Sequence, residues 1–163
     1  MQQFLLYIVL LFSFVSKAQN TIPEVLHKYN KKTIPYIKVN ELKRANYVFL
    51  DAREPKEYQV SHIPKAIAVG YNQFELKNVT TSIKDKNTPI VVYCSIGVRS
   101  EQIAEKLKKS GYTKVYNLYG GIFEYKNNGE KVVNSKNTAT DSIHTYNKQW
   151  STYLKKGIKV YEN

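Results

Sequence analysis

The segment PIVVYCSIGVRSEQIAEKLKKSG, residues 89–111, has the pattern of a buried strand, a short loop and a helix. The apolar run at 89–94 is long enough for one strand, and it does not alternate with polar residues, which predicts burial on both faces. The run at 100–111 predicts an amphipathic helix that ends at Gly111. Cys94, the single cysteine of the chain, therefore stands where the strand meets the loop.

On either side of this segment, apolar runs alternate with helical patterns. Four further runs predict strands, at residues 36–39, 47–52, 66–71 and 114–119. Unbroken apolar strands separated by helical segments are typical of a mostly parallel sheet with helices on both faces, so the predicted fold class is α/β. Ligands of such sheets bind beyond the carboxyl ends of the strands, where loops lead into helices. The loop after Cys94 is predicted to lie at such a place.

This loop has the composition of an anion-binding site around a reactive thiol. A thiolate at Cys94 would face the unpaired N–H groups of the first helical turn, which lower the pKa of a thiol. Gly97 allows a tight turn, and Arg99 adds a charged planar donor. The sequence thus predicts a nucleophilic Cys94 in a substrate-binding cradle formed by the residues that follow it: Ser95, Ile96, Gly97, Val98, Arg99 and Ser100. The alternative is a buried cysteine that packs as a small apolar group, with Arg99 in solvent.

The same residues resemble the single-domain rhodaneses. The active-site loop of that family has a cysteine, four residues and an arginine, as in Cys94-Ser-Ile-Gly-Val-Arg99 here. LDAREPKEYQVSHIPKAI at 50–67 and GYTKVYNLYGGIFEYKNNG at 111–129 are similar to two further family signatures, so the resemblance covers about residues 36–129. It implies a rhodanese fold, a persulfide on Cys94, and transfer of sulfane sulfur from a donor such as thiosulfate to a thiol or cyanide. It also implies that Arg99 and the loop backbone bind the substrate.

Two other functions remain open on the sequence. Phosphatases and arsenate reductases of the same fold have one more residue between Cys and Arg, and the smaller loop of this chain suits a sulfur atom better than a phosphate. A non-catalytic module of this fold, binding a partner or a small anion, is the second alternative. For Asp51, Arg53 and His62, we expect a structural role in tying loops together by hydrogen bonds rather than direct catalysis.

Charge and cysteine content narrow the expected partners. A formal net charge of +12 predicts a positive field that attracts small anions, and we expect an anionic sulfur donor rather than a nucleic acid. A single cysteine excludes an internal disulfide, a Cys-x-x-Cys pair and a cysteine-rich zinc site. The three histidines, His27, His62 and His144, lack metal-ligand spacing. No metal and no cofactor are therefore expected.

Both ends of the chain extend beyond the resemblance. Residues 1–18 contain a short apolar run followed by small residues, which predicts a cleaved signal peptide and a periplasmic or secreted protein. Contact with a membrane is expected only if this segment is retained. Residues 19–35 predict a lead-in helix. Residues 130–163 predict a C-terminal extension whose helix, at 141–156, docks on the domain.

Overall fold

The centre of the molecule is strand β4 (Ile90–Tyr93), whose four residues are fully buried. The structure, a computed structural model, describes residues 21–161. β4 belongs to a sheet with four further strands: β1 (Tyr36–Ile37), β2 (Val48–Asp51), β3 (Ile67–Ala68) and β5 (Val115–Leu118). The strands lie in the order β1, β5, β4, β2, β3, and every pair is parallel. The predicted α/β class with a parallel sheet is confirmed.

Helices cover both faces of this sheet. They are α1 (Ile22–Tyr29), α2 (Pro55–Val60), α3 (Leu76–Ser82), α4 (Arg99–Lys109) and α5 (Gly121–Asn127). Successive residues of a strand point to opposite faces, so β4 contributes to two cores. Ile90 and Val92 pack in one core with residues of α3 and α4, and Val91 and Tyr93 pack in the other with residues of α1 and α5.

The order of the strands places the loop after β4 at a switch in chain direction. From β2 the chain passes through α2 to β3 at one edge of the sheet, whereas from β4 it passes through α4 to β5 on the other side. The loops that follow the neighbouring strands β2 and β4 therefore run in opposite directions and leave a crevice at the carboxyl ends of these strands. This is the place where open parallel sheets bind ligands.

The lead-in segment forms α1, which begins with a capping box. Thr21 N–H donates to the Glu24 carboxylate at 2.6 Å, and the Thr21 side chain accepts from Glu24 N–H at 3.5 Å. Both bonds satisfy donors that the first helical turn leaves unpaired. The helix buries Val25 and Leu26. A 3-10 helix, Val39–Arg44, follows β1 and leads to β2.

The C-terminal extension lacks the helix predicted at 141–156, so that prediction was wrong. Instead, β6 (Val132–Val133) pairs with β7 (Ala139–Thr140), β8 (Ser142–His144) pairs with β9 (Ile158–Val160), and a 3-10 turn lies at Trp150–Tyr153.

The reason lies in the turn that follows β8. Tyr146 has φ +66°, a left-handed conformation that interrupts a right-handed helix. The Asn147 side chain then accepts the N–H of Trp150 at 3.0 Å and starts a single turn. The extension still packs on the domain, because Ile143 and Leu154 are 0% and 1% exposed within the core that contains Val91.

The predicted signal peptide at 1–18 lies outside the described residues, and both its cleavage and the predicted location stay predictions. Within residues 21–161, no helix combines the length and the apolar character needed to cross a bilayer.

Candidate active site

Cys94 directly follows β4 and is 1% exposed at the entrance to α4. Gly97 N–H donates to its Sγ at 3.1 Å, and the backbone N–H of Ser100 is a further donor. The Ser100 hydroxyl lies 3.5 Å from Sγ and 2.7 Å from Asn117 Oδ1, so its single proton can serve either acceptor. The loop thus turns several donors toward one sulfur atom, as the sequence predicts.

The pKa of the Cys94 thiol is lowered. Burial by itself would raise it, because a buried thiolate loses the solvation of water. The charge of Arg99 and the hydrogen bonds from Ser100 and Gly97 outweigh burial, since each of them stabilises the thiolate. A lowered pKa favours the thiolate, which is the nucleophilic form of a cysteine.

The carbonyl groups of the loop are held away from the sulfur. Ile122 N–H donates to Cys94 O at 2.9 Å, and Phe123 N–H donates to Ser95 O at 3.2 Å, both from the first turn of α5. Gly121, with φ +55°, permits this approach, because a Cβ there would lie 2.3 Å from Cys94 O. With its carbonyls bound on the outside, the loop can present N–H groups on the inside.

Two buried asparagines hold the tip of the loop. Asn30, at the end of α1, and Asn117, on β5, each donate Nδ2–H to Gly97 O at 2.8 Å. Gly97 has φ +108°, and a Cβ at this position would lie 3.3 Å from Leu118 O. Sequence reasoning missed both asparagines. A polar residue within the apolar strand run at 114–119 is the signal that points to Asn117.

Arg99 forms a partly buried ion pair with Glu57, which is 0% exposed in α2. Its Nη1 and Nη2 donate to the two carboxylate oxygens at 2.7 and 2.8 Å, and Nη2 also donates to Ser95 Oγ at 3.1 Å. Burial alone would raise the pKa of Glu57, but Arg99 holds it below its usual range. Glu57 was not predicted from the sequence, although it lies within the segment 50–67 that carries the resemblance.

Asp51, Arg53 and His62 each tie separate segments of the chain to one another. The Arg53 guanidinium donates to Asp51 at 2.6 Å and to Ser61 O at 2.6 Å, and Asp51 and Arg53 are 0% and 1% exposed. The His62 ring stacks on Tyr58 with centroids 3.8 Å apart. None of the three lines the pocket over Cys94, so the geometry agrees with the structural role expected for them.

An open pocket of about 440 Å³ lies over the sulfur. Four of the predicted cradle residues line it beside Cys94, namely Ser95, Ile96, Val98 and Arg99. Gly97 and Ser100 contact Sγ but do not line the pocket. The rest of its wall comes from other segments: Tyr29, Glu54, Tyr71, Asn72, Tyr146 and Trp150. Within residues 21–161, no group of three or more His, Cys, Asp or Glu side chains could hold a metal ion.

The parallel sheet, with a cysteine directly after its central strand and a loop of N–H donors leading into a helix, defines an α/β protein with a candidate nucleophilic cysteine. The family model of the rhodanese-like domain matches residues 38–128, and the chain belongs to this family. The match begins and ends close to the limits of the resemblance seen in the sequence.

Solved structures agree with this assignment. The thiosulfate sulfurtransferase of Pseudomonas aeruginosa superposes with a TM-score of 0.56 at 27% identity, over 62% of this chain and 20% of that one. A rhodanese-related protein of Thermoplasma volcanium superposes with a TM-score of 0.53 at 27% identity, over 61% of this chain and 97% of that one.

Curated relatives carry a different activity in their names. The tRNA uridine(34) hydroxylase of Buchnera aphidicola is 36% identical over 89 residues, which are 53% of this chain and 28% of that protein. Other hydroxylases of this name match over 23% to 35% of their length. The shared part is thus a minor portion of those proteins.

Proposed function

We propose that this protein is a sulfurtransferase that carries sulfane sulfur as a persulfide on Cys94. The geometry around Sγ supports this most. The Cys94 thiol accepts hydrogen bonds from loop N–H groups, its pKa is lowered, and it lies at the floor of an open pocket. A thiolate is the form of cysteine that attacks sulfur, and the same N–H groups can bind the negative charge of a persulfide.

The reaction needs two steps. In the first, the Cys94 thiolate attacks the outer sulfur of a donor such as thiosulfate. A new S–S bond forms on Cys94, the S–S bond of the donor breaks, and sulfite leaves with its electron pair. In the second, a thiolate or cyanide attacks the outer sulfur of the persulfide, and the Cys94 thiolate is restored as the leaving group. The steps need no external oxidant, because electrons only move between the bonds that form and break.

Arg99 assists the reaction as a cation that Glu57 holds in a fixed position. Its charge lowers the pKa of Cys94, while Glu57 fixes the guanidinium plane in a two-point ion pair. Arg99 lines the pocket, so the N–H groups not engaged by Glu57 and Ser95 can donate to a bound donor. This assigns Glu57 as a positioning residue.

The loop favours sulfur over a tetrahedral oxyanion. Four residues separate Cys94 from Arg99, and Arg99 is already balanced by a buried carboxylate. A phosphate or arsenate group carries more charge and volume than a sulfur atom. It would need a longer loop and an arginine that is not already paired with a carboxylate. Hydroxylation of tRNA, named for the curated relatives, is not proposed here, because the match covers only 28% of the first of them.

The test is the mass of the intact protein after incubation with thiosulfate or an organic persulfide. We expect a gain of one sulfur atom, which is removed by cyanide or by a thiol. Since Cys94 is the single cysteine of the chain, an added sulfur atom is assigned to Cys94. Cys94→Ser should abolish both the gain and the turnover, and Ser110→Ala, a change at the end of α4, serves as the matched control.

Wild-type protein that gains no sulfur from either donor would contradict the proposal. Cys94-dependent hydrolysis of an aryl phosphate by the same protein would indicate phosphatase chemistry instead. If neither reaction occurs, the non-catalytic binding module is the better interpretation.

A further inference from the structure

Aromatic side chains from outside the loop form a wall around the entrance to Cys94. They are Tyr29, Tyr71, Tyr146 and Trp150. Within residues 21–161, four large apolar side chains are exposed, and two of the four, Tyr29 and Tyr146, stand at this pocket, with 55% and 53% of their surface in solvent. Exposed aromatic rings that converge on a concave site are typical of surfaces that bind organic groups.

The C-terminal extension holds two of these rings in place. The left-handed backbone of Tyr146 is unfavourable for a residue with a Cβ, and Tyr146 N–H donates to His144 Nδ1 at 3.1 Å. The ring of Trp150 packs against Tyr153, with centroids 5.8 Å apart. Both residues follow residue 128, where the family match ends, so this part of the wall is an addition to the rhodanese domain.

The side chains that line the pocket offer little positive charge to a dianion. Arg99 is the one cation among the described residues that line it, and Glu57 already neutralises Arg99. Glu54 also lines the pocket with a carboxylate. Among the described residues that line the pocket, a sulfur donor therefore meets two negative groups, the Cys94 thiolate and Glu54, and the single cation Arg99. The overall charge of +12 attracts anions from a distance, but close charges act more strongly at the point of reaction.

We infer that the pocket selects an organic hydropersulfide with an aromatic or apolar body over an inorganic dianion such as thiosulfate, and that Tyr146 and Trp150 are its specificity-determining residues. This deepens the proposed function and rests on it, because it concerns the donor for the same sulfur. The thiolate attacks the outer sulfur of R–S–S–H, the bond between the two donor sulfurs breaks, R–S⁻ leaves with the electron pair, and Cys94 becomes a hydropersulfide. The group R lies between the rings of the wall.

The test compares two donors that differ only in their organic body, methyl hydropersulfide and benzyl hydropersulfide. The rate of sulfur gain on Cys94 is followed by intact mass. In the wild-type protein, we expect the benzyl donor to react about fivefold to tenfold faster, the range that one aromatic contact supplies. In a Tyr146→Asn, Trp150→Ala variant, this preference should fall to about twofold or less, because the rate with the benzyl donor falls more than the rate with the methyl donor. Asn is chosen at 146 because it tolerates positive φ.

Ile158→Ala is the matched control, since Ile158 is an exposed apolar residue of the same extension that does not line the pocket. It should keep the benzyl preference. Thermal melts verify that each variant is folded, and if the double variant is not, Tyr146→Asn alone decides the question, because this exposed side chain contributes little to the core.

The charge component has its own test. Glu54→Gln should raise the rate with thiosulfate by about twofold to threefold and change the rate with the benzyl donor less, as expected when one nearby negative charge is lost and only the first donor is a dianion.

The outcomes separate the two proposals. If Cys94 gains sulfur from every donor without preference, or if the double variant keeps the wild-type preference, the aromatic selection is wrong and the sulfurtransferase proposal stands. If Cys94 gains sulfur from no donor, the sulfurtransferase proposal itself fails, and the inference fails with it.

Discussion

The lead-in segment and the C-terminal extension both lie outside the family match at 38–128, and both reach the site of Cys94, but by different means. Tyr29 of the lead-in lines the pocket as well, but the contacts that distinguish the lead-in are hydrogen bonds to the loop and to α4. Asn30 donates to Gly97 O, and the backbone N–H groups of Lys31 and Thr33 donate to the Glu101 carboxylate on α4 at 3.1 Å each. The extension acts from the front, where two of its aromatic rings line the pocket.

This difference separates two properties of one site. Hydrogen bonds to the loop and to the first turn of α4 hold the sulfur and the N–H groups around it in place, so the lead-in residues that make these bonds should influence every sulfur donor equally. Rings at the entrance contact only what enters, so the extension should influence donors according to their organic body. The two additions can therefore change independently of each other.

The largest expected effect is on stability and comes from deleting residues 140–163. The deletion removes Ile143 and Leu154 from the core, together with the β8–β9 pair. We expect a loss of about 3 to 6 kcal/mol in the free energy of unfolding, since each large buried side chain contributes about 1.5 to 3 kcal/mol. Urea unfolding measures the loss. A chain that ends at Tyr161 is the control, and unchanged stability of the long deletion would show that the extension is not part of the packed domain.

A smaller effect is expected from Asn30→Ala in the lead-in. Gly97 O keeps its bond to Asn117, but the variant loses two hydrogen bonds of Asn30, to Gly97 O and to Tyr36 Oη, which together should cost about 1 to 3 kcal/mol. The rate of sulfur gain should fall by the same factor for the methyl and the benzyl donor. Asn128→Ala, at an exposed position that bonds to Glu124 O, is the matched control. A fall restricted to one sulfur donor would mean that Asn30 also affects which donor is selected.

The smallest effect is a shift along the pH axis. Because the pKa of Cys94 is lowered, its reaction with iodoacetamide should persist below the pH at which an ordinary thiol is protonated, and it is lost as the pH falls through that lowered pKa. Arg99→Ala removes the charge that stabilises the thiolate, so the profile should move to higher pH. Tyr146→Asn removes no charge and should leave the profile in place. A shift of the pH profile in Tyr146→Asn would mean that the extension also affects the ionisation of the Cys94 thiol.

Much of the domain could be predicted from the sequence because its signals are local. The buried strand, the turn at Gly97 and the helix after Arg99 are specified by neighbouring residues, and the thiol stands where that pattern places it. The fold class followed from the alternation of apolar runs with helical segments, since that alternation reflects a sheet covered on both faces.

The partners of the loop could not be predicted because they are distant in sequence. Asn30 lies 67 positions from Gly97, and Glu57 lies 42 positions from Arg99, so no local pattern connects them. The helix at 141–156 was predicted wrongly because apolar residues spaced for one helical face also fit a strand, a turn and a second strand. The left-handed backbone of Tyr146 excludes a continuous helix, and the residue type Tyr gives no indication of this conformation.

The hydrogen bond between the Ser100 hydroxyl and Cys94 makes the thiol a useful probe for vibrational spectroscopy. One hydroxyl lies between Asn117 Oδ1 and Cys94 Sγ, and Cys94 is the only thiol in the chain. The S–H stretching band of the infrared spectrum, a region free of other protein bands, would therefore arise from a single oscillator. Its frequency reports the hydrogen bonds at the sulfur, and its disappearance with rising pH follows the ionisation of one atom without any isotopic label.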